Sequence, residues 1–86
     1  MRLDKYLKNS RLIKRRTVAK EACDGGRVTV NGRTAKAGTD LEVGDEIHIA
    51  FGSGSITVRV TALIESPRKE DAQSMYEVIP LQNDIS

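Results

Sequence analysis

The side chains able to do chemistry in this chain are mostly cations, and they crowd at one end. Between Arg2 and Lys36 stand eleven basic residues, Arg2, Lys5, Lys8, Arg11, Lys14, Arg15, Arg16, Lys20, Arg27, Arg33 and Lys36, against three acids, Asp4, Glu21 and Asp24. That segment carries a net charge of +8, whereas residues 37–86, with three basic residues and nine acids, carry −6. Like charges at this density repel one another and weaken the compact state, so such a block is usually kept for an anionic partner. The whole-chain charge of +2 conceals a bipolar molecule, basic in front and acidic behind. The chemistry these residues offer is phosphate recognition, for which guanidinium is well suited because it is planar, permanently charged and able to donate paired hydrogen bonds.

Other chemistries find little support. One thiol, Cys23, and one imidazole, His48, do not make a metal site, and no base is indicated to turn Cys23 into a nucleophile. Cys23 reads instead as a small core residue and His48 as an exposed or hydrogen-bonded strand residue. The acids Asp40, Glu42, Asp45 and Glu46 lack a pairing for acid–base catalysis. Gly25-Gly26 is not followed by the lysine of a phosphate-cradling nucleotide loop. The expectation is a protein that is not an enzyme and uses no cofactor or metal.

Eighty-six residues suit one domain over 1–86 that buries somewhat more than roughly 60% of its unfolded surface, enough for one modest core. The aromatics are Tyr6, Phe51 and Tyr76, too few for a row of base-stacking platforms, so a nucleic acid would be held mainly by phosphates and shape. A single cysteine, no leader segment and no apolar run near 18 residues point to the reducing cytoplasm and away from membranes.

The elements that must position the cations follow from periodicity. Leu3, Tyr6 and Leu7 fall at helical spacing, with Asp4 in the first turn where a carboxylate suits the helix dipole, and Asn9-Ser10 ends this helix. Leu12 and Ile13 anchor the connection. A second helix is predicted from about Lys14 to Cys23, with Val18, Ala19, Ala22 and Cys23 as its apolar stripe, stopped by Asp24-Gly25-Gly26. The period then becomes two: Arg27–Val30 and Arg33–Ala35 flank Asn31-Gly32, a strong hairpin signal. Residues 46–51 and 55–60 form a second hairpin across Gly52-Ser53-Gly54, with Ile47, Ile49, Phe51, Ile56, Val58 and Val60 inward. Residues 65–74 read as an exposed loop with one helical turn at its end, and Met75–Ile79 as a last strand stopped by Pro80. The fold class is α+β, two N-terminal helices packed on a small, mostly antiparallel sheet.

Arg2-Leu3-Asp4-Lys5-Tyr6-Leu7, then Arg11, Lys14-Arg15-Arg16, Gly25-Gly26-Arg27-Val28, Asn31-Gly32 and Lys36 form an ordered series. It closely resembles the ribosomal-protein-S-four-type RNA-binding domain, or alpha-L motif, over about residues 1–50, with further strands and a loop in 51–86. Within that superfamily the chain is similar to the RqcP family of single-domain bacterial factors and next to heat-shock protein fifteen, both through the opening motif and through Arg68-Lys69, Ala72 and Met75-Tyr76-Glu77. The end at Ser86, without the basic extension of heat-shock protein fifteen, favours the former. The resemblance implies a role in ribosome-associated quality control. The partners it implies are the large ribosomal subunit, its rRNA, stranded peptidyl-tRNA and RqcH, which brings alanyl-tRNA for C-terminal alanine tailing.

The resemblance makes Arg2 and Arg16 the leading RNA contacts, with Arg15 less certain because neighbouring helical side chains diverge by about 100°. Lys5, Lys8, Arg11, Lys14, Lys20, Arg27 and Lys36 supply longer-range or backbone-positioning charge. Asp4 either serves the helix dipole or orients an arginine, and in the second case Asp4→Arg damages binding. Arg68-Lys69 reads as a solvated loop pair rather than a second contact, and the Asn31-Gly32 tip as a turn that could approach RNA. The rivals are subunit recycling in the manner of heat-shock protein fifteen, an RNA-modifying enzyme, for which no catalytic remainder is visible, and a protein–protein adaptor using the acidic half. A monomer is expected.

Overall fold

A computed structural model describes residues 1–80 of the chain. Helix α1 (Leu3–Asn9) and helix α2 (Arg16–Asp24) come first, followed by strands β1 (Val28–Val30), β2 (Arg33–Thr34), β3 (Glu46–Phe51) and β4 (Gly54–Val60). A 3-10 helix over Lys69–Met75 then leads into β5 (Tyr76–Val78). The strands form one antiparallel sheet in the order β2-β1-β3-β4-β5, and the α+β expectation holds.

Register explains how alternation in the sequence becomes a two-faced sheet. Val28 lies opposite Ile49, Val30 opposite Ile47, and Ile47 opposite Val58, so these apolar residues share the face toward the helices. Glu46, Arg59 and Glu77 lie side by side across β3, β4 and β5 on the other face, and Thr29, His48 and Thr57 do so across β1, β3 and β4. His48 Nδ1 and Thr57 Oγ1 are 2.8 Å apart, which satisfies the histidine locally.

The core joins Leu3, Tyr6 and Leu7 of α1 to Ala19, Ala22 and Cys23 of α2 and to Val28, Ile47, Ile49, Val58 and Val60 of the sheet. Small residues on α2 let it approach α1 closely. Burial pushes the Cys23 thiol up to about 11, with Asp4 and Asp24 adding to the effect, so it is an inert packing group. The Tyr6 hydroxyl donates to the Met75 carbonyl at 2.5 Å, fastening the first helix to the end of the 3-10 helix. Burial, then the nearby Tyr76, raises the Tyr6 phenol well above its ordinary value.

Four expectations need correction. Helix α2 starts at Arg16, because Arg11 adopts a left-handed conformation (φ 64°) and turns the chain away, leaving Arg15 as an extended N-cap. Val18 faces solvent at 46% exposure, since α2 needs only its small residues against α1. Phe51 is 45% exposed, because the β3–β4 hairpin runs past the helices that cover its base. The helical turn expected at the end of residues 65–74 is longer and takes in Met75, a residue expected in the strand: the 3-10 helix buries Ala72 and Met75, and the backbone N–H of Arg68 donates to the Asp71 carboxylate at 3.0 Å to start it.

Gly26 (φ 77°) closes α2, and Asn31 and Gly32 (φ 53° and 85°) form the predicted hairpin turn, with both central residues left-handed. Asn31 Nδ2 donates to Asp45 Oδ1 at 3.1 Å, and its Oδ1 accepts the Glu46 N–H at 3.0 Å. The tip is thus tied to an acidic turn, a poor neighbourhood for phosphate.

Candidate nucleic-acid interface

The start of α1 has no side-chain cap. Its first amides are satisfied from elsewhere in the chain: Leu3 N–H donates to the Thr39 carbonyl at 2.8 Å and Asp4 N–H to the Ala37 carbonyl at 3.1 Å. Leu41 N–H in turn donates to the Met1 carbonyl at 2.9 Å. Residues 37–41 therefore clasp the N-terminus and fix where Arg2 leaves the surface. Gly38 lies under its guanidinium, where an added Cβ would stand 3.8 Å from the Arg2 guanidinium carbon.

Asp4 gathers the site. Its residue is only 3% exposed. Oδ1 accepts from Arg2 Nε at 3.1 Å and from its neighbour's amide, Lys5 N–H, at 2.8 Å; Oδ2 accepts from the Arg2 terminal nitrogen and from Arg16 Nε, both at 3.4 Å. Burial by itself pushes this carboxyl up, but the hydrogen bonds and charges of Arg2 and Arg16 outweigh it and hold Asp4 below the usual aspartate range. The hydrogen bond to Asp4, then its charge, likewise raises Arg2. Asp4 thus accepts hydrogen bonds from a first-turn amide and from both arginines.

One buried anion consequently holds two half-exposed guanidiniums, whose side chains are 53% and 49% accessible. Each keeps N–H donors free of the carboxylate, since an arginine has five. The cluster of Arg2, Arg16 and Asp4 carries a net charge of +1 and forms a preorganised fork for an external anion. Lys20 follows Arg16 by four residues on α2 and so extends the same helix face. Arg15, just outside the helix, is exposed.

A second group of predicted residues meets elsewhere. Lys8, Asn9, Arg11 and Lys14 line a groove of about 540 Å³ together with Glu65, Ser66 and Pro67. Lys5 is ion-paired to Glu65 there, and Asn9 Nδ2 donates to the carbonyls of Ile64 at 3.2 Å and Glu65 at 3.1 Å. Hydrogen bonding to Lys5, then its charge, lowers the Glu65 carboxyl. Arg27 and Lys36 join neither group; both are exposed, and Lys36 borders a second depression of about 480 Å³ with Cys23, Asp24, Gly26 and Thr34.

Sequence reasoning missed the clasp at residues 37–41 and the place of Glu65 beside Lys5. Gly38 and Thr39 signal a turn, but nothing in the chain announces that this turn closes on the N-terminus. Among the described residues, no three of His, Cys, Asp and Glu are grouped to hold a metal ion, and no helix is long and apolar enough to cross a membrane.

Residues 1–47 match the family model of the S4 domain. The chain is 60% identical over 78 residues to the RQC P-site tRNA stabilizing factor of Halalkalibacterium halodurans, covering 91% of this chain and 89% of that protein. It is 58% identical over 79 residues to the factor of the same name from Streptococcus pneumoniae, covering 92% and 90%. The trimeric structure of Vibrio cholerae heat shock protein 15 shares the fold with a TM-score of 0.85 at 31% identity, over 92% of this chain and 81% of that one. The chain belongs to the S4-domain proteins and, within them, to the family of RQC P-site tRNA stabilizing factors. The resemblance carried by Arg2-Leu3-Asp4-Lys5 and by Met75-Tyr76-Glu77 is therefore a true relationship.

Proposed function

We propose that this protein is a cytoplasmic, monomeric and non-catalytic RNA-binding factor of ribosome-associated quality control. It binds rRNA and P-site peptidyl-tRNA on a stalled large ribosomal subunit and supports C-terminal alanine tailing by holding the tRNA while RqcH recruits alanyl-tRNA. The observation that carries this reading is the Arg2–Asp4–Arg16 cluster, set at the head of the basic half in a chain similar to P-site tRNA stabilizing factors. Its work is placement. Phosphates displace water from two guanidiniums already oriented by Asp4, so little side-chain freedom is lost on binding. No bond is made or broken by this chain.

The test is capture of the tagged protein after crosslinking, with sequencing of the attached RNA and detection of alanine tails in cells lacking it. Recovery of large-subunit rRNA together with tRNA, lost in Arg2→Ala and Arg16→Ala, supports the reading. Recovery of proteins alone, with binding indifferent to salt, would instead favour an adaptor. The RNA reading requires affinity to fall with salt at a slope of about −0.9 per neutralised phosphate for duplex-like targets. The likeness to heat shock protein 15 favours a second reading, recycling of nascent-chain-blocked subunits. Tails that persist unchanged without the protein, with blocked subunits accumulating, would select it.

A further inference from the structure

The groove beside α1 has features that a general cationic surface does not need. Its volume of about 540 Å³ lies within the roughly 300–1,000 Å³ range of small-ligand sites. Duplex RNA meets a protein with convex rows of phosphates, whereas a concave site of this size admits an unpaired nucleotide. Arg11 occupies the left-handed position after α1 (φ 64°), where glycine is usual and a long side chain is strained. The turn made there leaves Lys8, Arg11 and Lys14 lining the same groove. The Glu65 segment is fixed by Asn9, which holds the carbonyls of Ile64 and Glu65.

Glu65 is the informative residue. A carboxylate facing Lys8, Arg11 and Lys14 in the same groove repels phosphate, so phosphate alone does not account for it. An ionised carboxylate offers about four acceptor positions on two oxygens. Lys5 takes one at Oε1 and keeps the group charged. Among the four RNA bases, guanine alone presents two adjacent N–H donors on its Watson–Crick edge, the ring N1–H and the exocyclic amino group, spaced to suit a carboxylate. We infer that the groove between the end of α1 and residues 65–67 recognises an unpaired guanosine, with Glu65 reading the base and Lys8, Arg11 and Lys14 holding its phosphates. This rests on the RNA-binding reading above and adds a base preference to it.

The test is a nuclear magnetic resonance titration of the full 15N-labelled chain with guanosine, inosine and adenosine 5′-monophosphates. Guanosine monophosphate is expected to shift the amides of residues 8–14 and 65–69 at a concentration at least about fivefold lower than adenosine monophosphate, with inosine, which lacks the amino group, between them. Glu65→Gln should erase the difference, and Arg11→Gly should weaken all three. Equal shifts with guanosine and adenosine, or no shifts in these segments, overturn the inference. Ultraviolet crosslinking to nascent-chain-blocked large subunits then tells the sources apart: a Glu65-dependent crosslink at a guanosine in rRNA or in tRNA supports the site and names its origin. Subunit binding that still depends on Arg16 without any such crosslink removes the groove proposal alone. Loss of subunit binding itself would remove the proposed function.

Discussion

Two ion-pair clusters in this molecule are near inversions of each other. At the N-terminus one buried carboxylate, Asp4, holds two arginines, Arg2 and Arg16. On the outer face of the sheet one arginine, Arg59, is held by two exposed carboxylates, Glu46 at 3.3 Å and Glu77 at 2.9 Å. The first leaves a positive excess with donors to spare, on a scaffold anchored in the core. The second leaves a negative excess and spends its guanidinium across three strands. Similar contacts thus serve opposite ends, and what separates them is the count of charges and the burial of the shared group. Arg59 shows why a cation's presence in the sequence says little about its availability to an RNA.

The sharpest way to break this comparison is Asp4→Arg. Counting charge alone predicts tighter RNA binding. The geometry predicts that a third cation in a buried position scatters Arg2 and Arg16, costing about 3–5 kcal/mol of stability and roughly 100-fold or more in subunit affinity. Denaturant unfolding and subunit co-sedimentation measure the two losses, and improved binding would refute the orienting role of Asp4.

Next in size are the arginines themselves. Arg2→Ala and Arg16→Ala should each weaken binding by about 10- to 100-fold, the worth of one or two charged hydrogen bonds. Arg59→Ala should leave binding unchanged and cost about 0.5 kcal/mol or less, as expected of a surface pair. Equal losses at Arg16 and Arg59 would mean that overall charge, not orientation, governs affinity.

Arg11→Gly should raise stability by about 1 kcal/mol by relieving the left-handed arginine, while weakening RNA binding. Thermal unfolding checks the first and salt titration the second. A fall in stability would show that the Arg11 side chain is needed by the fold.

The smallest effect is the acid limb of the stability curve. Asp4 has a folded pKa below its unfolded value, so the stability it contributes is present above about pH 4 and disappears as pH falls through the folded value. Asp4→Asn should flatten that limb relative to the wild type. Superimposable curves for Asp4→Asn and the wild type would show that Asp4 is not held ionised by its arginines.

Much of the fold was legible because it depends on local rules. Alternation placed Ile47, Ile49, Val58 and Val60 on one face, and Asn31-Gly32 made a turn that almost any context would keep. Val18 and Phe51 misled because their exposure depends on how far the covering helices reach, which periodicity does not encode. The 3-10 helix hid within a charged stretch, since Ala72 and Met75 are only two apolar residues whose burial is settled by neighbours far away in sequence. Asp4 was readable as a residue to watch, but its partners were not separable until Arg16 had been placed across from it.

The sequence by itself determined the charge asymmetry, the helix-helix-hairpin order and the family, because composition, period and motif are properties of the chain read along its length. Tertiary structure alone decided that Arg2 and Arg16 converge on one carboxylate, that residues 37–41 clasp the N-terminus, and that Glu65 enters a basic groove. Each of those joins residues 12 to 60 positions apart. Local propensity carries no information over that span, and the shared core that closes the loops between them supplies it.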